Sequence, residues 1–151
     1  MKQTKAIKLA YAAGFIDGEG CIQLKRIYSA KCSFQLSVSV GMTTRIVPLW
    51  FYTHFGNYYY EYPARMPNLQ PVYIWMIAAR QCCEFLSSIL PYLKLKQKEA
   101  EIAIEFQKMK NSYPSYNQYY KKPKVLMEAE KVLHGKLREV REEQKCQLIS
   151  K

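Results

Sequence analysis

The sequence predicts an α+β domain with one antiparallel four-stranded sheet covered by helices on one face. Three observations carry this. A glycine-punctuated helical stretch lies near the N-terminus, strict apolar/polar alternation runs through Ser33–Met42, and the elements follow as helix, two strands, helix, two strands, then helices. At 151 residues the chain has the length of one domain able to bury a sizeable core without disulfides or structural metal. A core over 1–110 is expected, followed over 111–151 by a linker and a basic C-terminal helix packed on the same domain.

The first helix is expected from about Ile7 to Gly18, because the stretch lacks proline and is apolar all round. Leu9, Ala12, Ala13 and Ile16 form the stripe that can pack on the domain itself. Ile7, Tyr11, Gly14 and Gly18 form another, and Ala10, Gly14 and Gly18 at four-residue steps leave a nearly flat groove. That groove suits either a tight crossing within the chain or contact with a second copy. Cys21–Tyr28 reads as a short strand. In Ser33–Met42 one face holds Phe34, Leu36, Val38, Val40 and Met42, and the other holds Ser33, Gln35, Ser37, Ser39 and Gly41. Such a strand belongs to an antiparallel sheet covered on one side and wet on the other.

Thr43 or Thr44 is expected to cap a helix reaching about His54, with Pro48 in its first turn and Gly56 and Asn57 closing it. Asn57–Arg65 and Val72–Ile77 read as strands joined through Pro67, Asn68 and Pro71. Ala78–Leu90 is expected to be helical with Phe85, Leu86, Ile89 and Leu90 inward. Pro91 interrupts, and Lys96–Lys110 continues as helix with Ala100, Ile104 and Met109 among its apolar positions. Asn111–Lys122, rich in tyrosine, reads as linker or surface loop, and Lys124 to about Lys145 as a last helix. Its partial periodicity comes from Val125, Met127, Val132, Leu133, Leu137 and Val140, which suits docking on the domain. The nine basic residues of Lys121–Lys151 equally suit phosphate contact.

Lys and Arg number 23 against 12 Asp and Glu, a net charge of +11, which favours a polyanionic partner and puts nucleic acid first. No apolar run approaches the roughly 18–20 residues needed to span a bilayer, and Asp17 interrupts the N-terminal stretch too early for a secretory signal. A soluble intracellular protein with no membrane partner is expected. The 5 cysteines show no CxxC pair and no zinc spacing, so reduced structural thiols are expected.

Against this basic background Asp17 and Glu19 are the only acids in the first sixty positions. Both sit at the end of the first helix, where the helix dipole is negative and each carboxylate costs roughly 0.3–1 kcal/mol, so a cation is expected there.

The stretch Ala12–Gly20, AAGFIDGEG, resembles the LAGLIDADG signature of homing endonucleases and related intron maturases. The matches are Ala13, Gly14, the apolar pair Phe15 and Ile16, Asp17, Glu19 for the second aspartate, and Gly20; Ala12 replaces the leading leucine. The order of elements agrees with the family's αββαββα fold, and Pro91–Ala100 is similar to a segment before a late helix in single-motif members. The resemblance covers about residues 7–110.

The resemblance implies a homodimer whose motif helices pack through Ala10, Tyr11, Gly14 and Gly18, with two saddle-shaped sheets straddling double-stranded DNA. It implies Mg²⁺, or Mn²⁺, held by Glu19 with help from the Gly18 carbonyl. Lys96 would stand beside the metal as the second catalytic residue, with Asp17 supporting the helix ending. The cut would cross the minor groove of a long, roughly palindromic target and leave 3′ overhangs. The family's water-organising glutamine is Thr44 here, and a basic residue one turn later is Pro48, for which Arg45 is a substitute. Side chains following the major groove at every second position would include Gln23, Lys25, Gln35, Ser37 and Ser39, with Arg26 and Lys31 near the strand tips. Arg65, Tyr73 and Trp75 belong to the later hairpin, the aromatics being equally suited to core. Two other readings are a maturase acting on intron RNA and a silent DNA-binding protein of the same fold. The compartment implied is an organelle, chloroplast or mitochondrion, or a prokaryotic cytoplasm.

Overall fold

The structure, a computed structural model, describes residues 4–27, 33–113 and 122–149. Lys31, Tyr28 and positions 114–121 of the expected linker lie outside them. The first helix, α1, spans Lys5–Glu19; Thr4 Oγ1 accepts from the Ile7 N–H at its start, and the Gly20 N–H donates to Ile16 and Phe15 carbonyls at its end. Gly20 is obligatory: a Cβ there would stand 2.6 Å from Ile16 Cδ1 and 2.7 Å from Ile16 Cα. This close approach lets the chain pass directly from α1 into strand β1, Gly20–Ile27.

β1 pairs antiparallel with β2, Ser33–Met42, which pairs on its other side with β4, Val72–Ala78; β3, Tyr58–Tyr62, forms the edge next to β4. The alternation of β2 sets the faces. Leu36, Val38 and Val40 are fully buried with Ile22, Trp75 and Ile77 against the helices. α2, Ile46–Phe55, begins later than expected, because the chain leaving β2 bends over 43–45. Thr43 and Thr44 therefore do not cap it, and Arg45 precedes it without a side-chain cap. Gly56 and Asn57 end it with φ of 67° and 74°.

α3, Ala79–Ile89, is followed by a 3₁₀ turn at Leu90–Tyr92 and by α4, Gln97–Ser112, so Asn111 and Ser112 are helical and not linker. The last helix, α5, Lys124–Ile149, packs on α4. Its docking stripe is Leu126, Glu130, Leu133 and Leu137, all buried, whereas Val125 and Val132, expected on that stripe, face out. Glu130 reaches the sheet: its Oε2 accepts from the Phe34 N–H at 3.1 Å and pairs with Lys122 Nζ at 2.5 Å, while Lys110 Nζ stands 3.8 Å from Oε1. Among the described residues no helix is long and apolar enough to cross a membrane.

Candidate active site

The end of α1 and the loop before α4 are locked together by reciprocal hydrogen bonds. The Lys94 and Lys96 N–H groups donate to Asp17 Oδ2 and Oδ1 at 2.7 and 2.9 Å. In return, Lys96 Nζ donates to the Ile16 and Gly20 carbonyls at 2.8 and 2.6 Å. Asp17 satisfies backbone donors at the start of α4, and Lys96 satisfies carbonyls at the end of α1, where a cation is favoured by the dipole. Lys96 thus places one positive charge of the chain's own at that helix end. Lys94 and Lys98 point to solvent.

Glu19, the last residue of α1, is exposed and makes no hydrogen bond or ion pair among the described residues, and Gly18 beside it is also exposed. The two acids thus do different work. Asp17 is a structural acceptor, while Glu19 is a free carboxylate close in sequence to the ammonium-capped helix end. Among the described residues no three His, Cys, Asp or Glu side chains cluster as a metal site.

The outward stripe of α1 is open. Ala10 and Gly14 are exposed with Ile7 and Tyr11, and nothing lies within 4 Å of a Cβ placed at Gly14 or Gly18. A tight crossing within the chain is therefore not what this groove serves. Tyr11 is held edge-on against Trp50 of α2 at 4.7 Å.

Register assigns the remaining positions. Gln23 faces Ser37 and Lys25 faces Gln35, and Ser39 lies opposite Cys21, so these five expected contacts share the open face. Ser37 is nevertheless buried: its short side chain sits in the middle of the sheet between Gln23 and Ala78. Arg26 pairs with Phe34 and so belongs to the helix-covered side of β1, where it is exposed at the strand's end. Tyr73 and Trp75 pair with Met42 and Val40 and likewise lie on the helix-covered side. Trp75 is fully buried, packs tilted against Phe51 at 4.7 Å and donates Nε1–H to the Gly56 carbonyl at 2.8 Å, so it is core and not a contact residue. The open side of the hairpin instead presents Tyr58, Tyr60 and Tyr62, opposite Met76, Ile74 and Val72. Arg45 and Arg65 are exposed. Thr44 is exposed as well, whereas Pro48 is buried and offers no polar group.

Sequence reasoning also missed Arg141 and Gln144 of α5. Arg141 donates to Glu99 Oε2 at 2.8 Å and to the Ile22 carbonyl, and Gln144 Nε2 donates to the Leu95 carbonyl at 3.1 Å, tying α5 to β1 and to the Lys96 loop. Mixed charge along a helix gives no sign of this. The other titratable candidates are structural. His54 Nδ1 bonds the Trp50 carbonyl at 2.9 Å, His134 stacks on Phe34 at 4.5 Å, and burial pushes the Cys82 thiol well above its usual range.

Comparison with known proteins agrees with this geometry. The chain is 32% identical over 99 residues to the DNA endonuclease I-CreI of Chlamydomonas reinhardtii, a match spanning 64% of this chain and 60% of that relative's length. It superposes on the homing endonuclease I-CvuI, solved in complex with the I-CreI target in the presence of Mg with the DNA not cleaved, at a TM-score of 0.67 and 23% identity. That likeness covers 89% of this chain and 82% of I-CvuI. The chain has the homing-endonuclease fold and is similar in sequence to one such enzyme over part of its length. The archaeal intron-encoded homing endonuclease I-Vdi141I, complexed with DNA, shares the fold at a TM-score of 0.55 and 16% identity, over 89% of this chain and 99% of that one. No family profile matches the chain.

Proposed function

We propose that the protein is a site-specific DNA endonuclease of the LAGLIDADG class, acting as a homodimer on a long, roughly palindromic duplex. The observation that carries the reading is the division of labour at the end of α1: Lys96 anchors the helix, and Glu19 is left exposed and, among the described residues, unpartnered. A single exposed carboxylate fits half of a Mg²⁺ or Mn²⁺ site, since such ions are held by one or two carboxylates together with phosphate oxygens. The open stripe of Ala10, Gly14 and Gly18 supports a two-fold pairing that brings the two Glu19 side chains together. When bound, the metal would activate water and polarise the phosphate. Lys96 would oppose charge developing on the phosphate, Asp17 would keep its loop in place, and Gln23, Lys25, Gln35 and Ser39 would meet the duplex on the open face.

A second reading, a DNA-binding protein that does not cut, is favoured by one observation: Pro48 is buried where a basic group is expected. One experiment separates the two. The protein is incubated with a randomised duplex library in Mg²⁺ and in chelator, alongside Glu19→Gln and Lys96→Met. The endonuclease reading expects metal-dependent double-strand cuts that Glu19→Gln abolishes and Lys96→Met slows by roughly 10²–10³. Tight binding without cuts, under every metal tried, supports the silent binder. A sedimentation mass of one chain at binding concentrations removes the paired site altogether.

A further inference from the structure

We propose that the β3–β4 half of the open sheet face reads a thymine-rich block of duplex DNA through methyl contacts, an inference that rests on the endonuclease reading above. The open face is chemically divided. On the β1–β2 half stand Gln23, Lys25, Gln35 and the serines. On the β3–β4 half, the register places Tyr58, Tyr60 and Tyr62 beside Val72, Ile74 and Met76. No Arg, Lys, Asn, Gln, Asp or Glu occupies this half, so it lacks the forked groups that pair with guanine or adenine and the carboxylates that accept from cytosine.

Burial of this surface in the monomer is incomplete. Tyr58, Tyr60 and Tyr62 are 51%, 39% and 48% exposed, and Val72 is exposed with them. An exposed aromatic and aliphatic patch of this kind marks a contact surface. It continues the polar half of the same sheet face in a chain of net charge +11, which points to the same nucleic acid as its occupant. In the major groove the apolar feature available to such side chains is the thymine methyl.

The spacing of the tyrosine rings favours duplex over single strand. Tyr58 and Tyr60 lie 6.2 Å apart at 13°, and Tyr60 and Tyr62 also 6.2 Å apart at 32°. The first pair is near-parallel and the second tilted, so the three rings form a row along the strand. With ring centroids this close, a base has no room to insert between neighbouring rings. Splayed single-stranded bases need open ring faces to stack on, whereas a groove lined by base edges and methyls meets ring edges and short aliphatic side chains.

The test begins with selection of bound duplexes from a random library in chelator, which should return sites containing a thymine-rich block. Replacing thymines of that block by deoxyuridine removes only methyl groups and should weaken binding about fourfold for each methyl contacted. The Ile74→Ala/Met76→Ala double variant should bind the thymine and deoxyuridine duplexes alike. Tyr60→Ala, at an exposed site, gives an independent variant and should lower the penalty too. Tight binding with no thymine enrichment, or equal binding of both duplexes by the wild-type protein, overturns this inference and leaves the endonuclease reading intact. Preference for single-stranded RNA that is lost in Tyr60→Ala also overturns it. Failure to bind any nucleic acid overturns both.

Discussion

Asp17 and Glu19 stand two residues apart in one motif, yet the structure assigns them opposite effects on stability. Asp17→Ala removes the acceptors of the Lys94 and Lys96 N–H groups at 2.7 and 2.9 Å. Hydrogen bonds to a charged group contribute about 1.5–3 kcal/mol each, and the partial exposure of these two places them at the low end, about 3 kcal/mol together. Alanine's better helix propensity returns about 0.5 kcal/mol. The net loss of about 2.5 kcal/mol lowers Tm by about 5–10 °C in a domain of this size. Glu19→Gln instead removes an exposed, unpartnered charge from the negative end of α1 and should leave Tm unchanged or raise it by a degree or two. Differential scanning calorimetry of the two variants beside wild type is the assay. An Asp17→Ala melt within 2 °C of wild type, or a Glu19→Gln loss as large as that of Asp17→Ala, would refute the division of labour.

Three further outcomes are expected. Glu130→Ala leaves Lys110 and Lys122 facing a buried gap and uncaps the Phe34 N–H, so it should cost about 3–5 kcal/mol in urea denaturation. Trp75→Ala should cost about 3–5 kcal/mol in the same measurement while the folded fraction keeps its DNA affinity, because the side chain is core. The His134 imidazole is held below its ordinary 6.5 by burial, and further by Arg138 and Arg141. The unfolded chain therefore takes up the proton more readily, and this group's contribution is lost as pH falls through 6.5. His134→Gln should show a shallower fall in Tm between pH 7.5 and pH 5.5 than wild type does.

The parts of this fold legible in sequence are those where polar and apolar residues contrast. β2 alternates so cleanly that its two faces, and through pairing the open face of β1, could be assigned before any coordinates. The hairpin offers no such contrast. Tyr58–Tyr62 is aromatic at four of five positions and Val72–Ile77 is apolar throughout, so only pairing with β2 reveals that Trp75 is inside and Tyr60 outside. The α5 stripe was misjudged for a related reason. Val125 and Val132 repeat at the same seven-residue interval as Leu126 and Leu133, and packing against α4 selects the second pair. Glu99 and Glu130 are helix carboxylates of ordinary sequence context, and their burial depends on Arg141, Lys110 and Lys122 arriving from other elements. At the candidate site, the part Asp17 plays at the helix ending was legible from a motif, while its mutual bracing with Lys96 needed the loop to be seen beside the helix.

The rim of the sheet also bears on how the protein behaves when nothing covers it. Among the described residues β3 pairs with β4 alone, so its far side presents main-chain groups without a strand partner along a segment whose sole formal charge is Glu61. Such a border invites another polypeptide to add itself as a fifth strand. Its brevity, five residues stopped by Pro63, is the main safeguard against growth of aggregates. Solubility during purification should accordingly be most sensitive to changes at Glu61 and Pro63, and far less to changes in the tail.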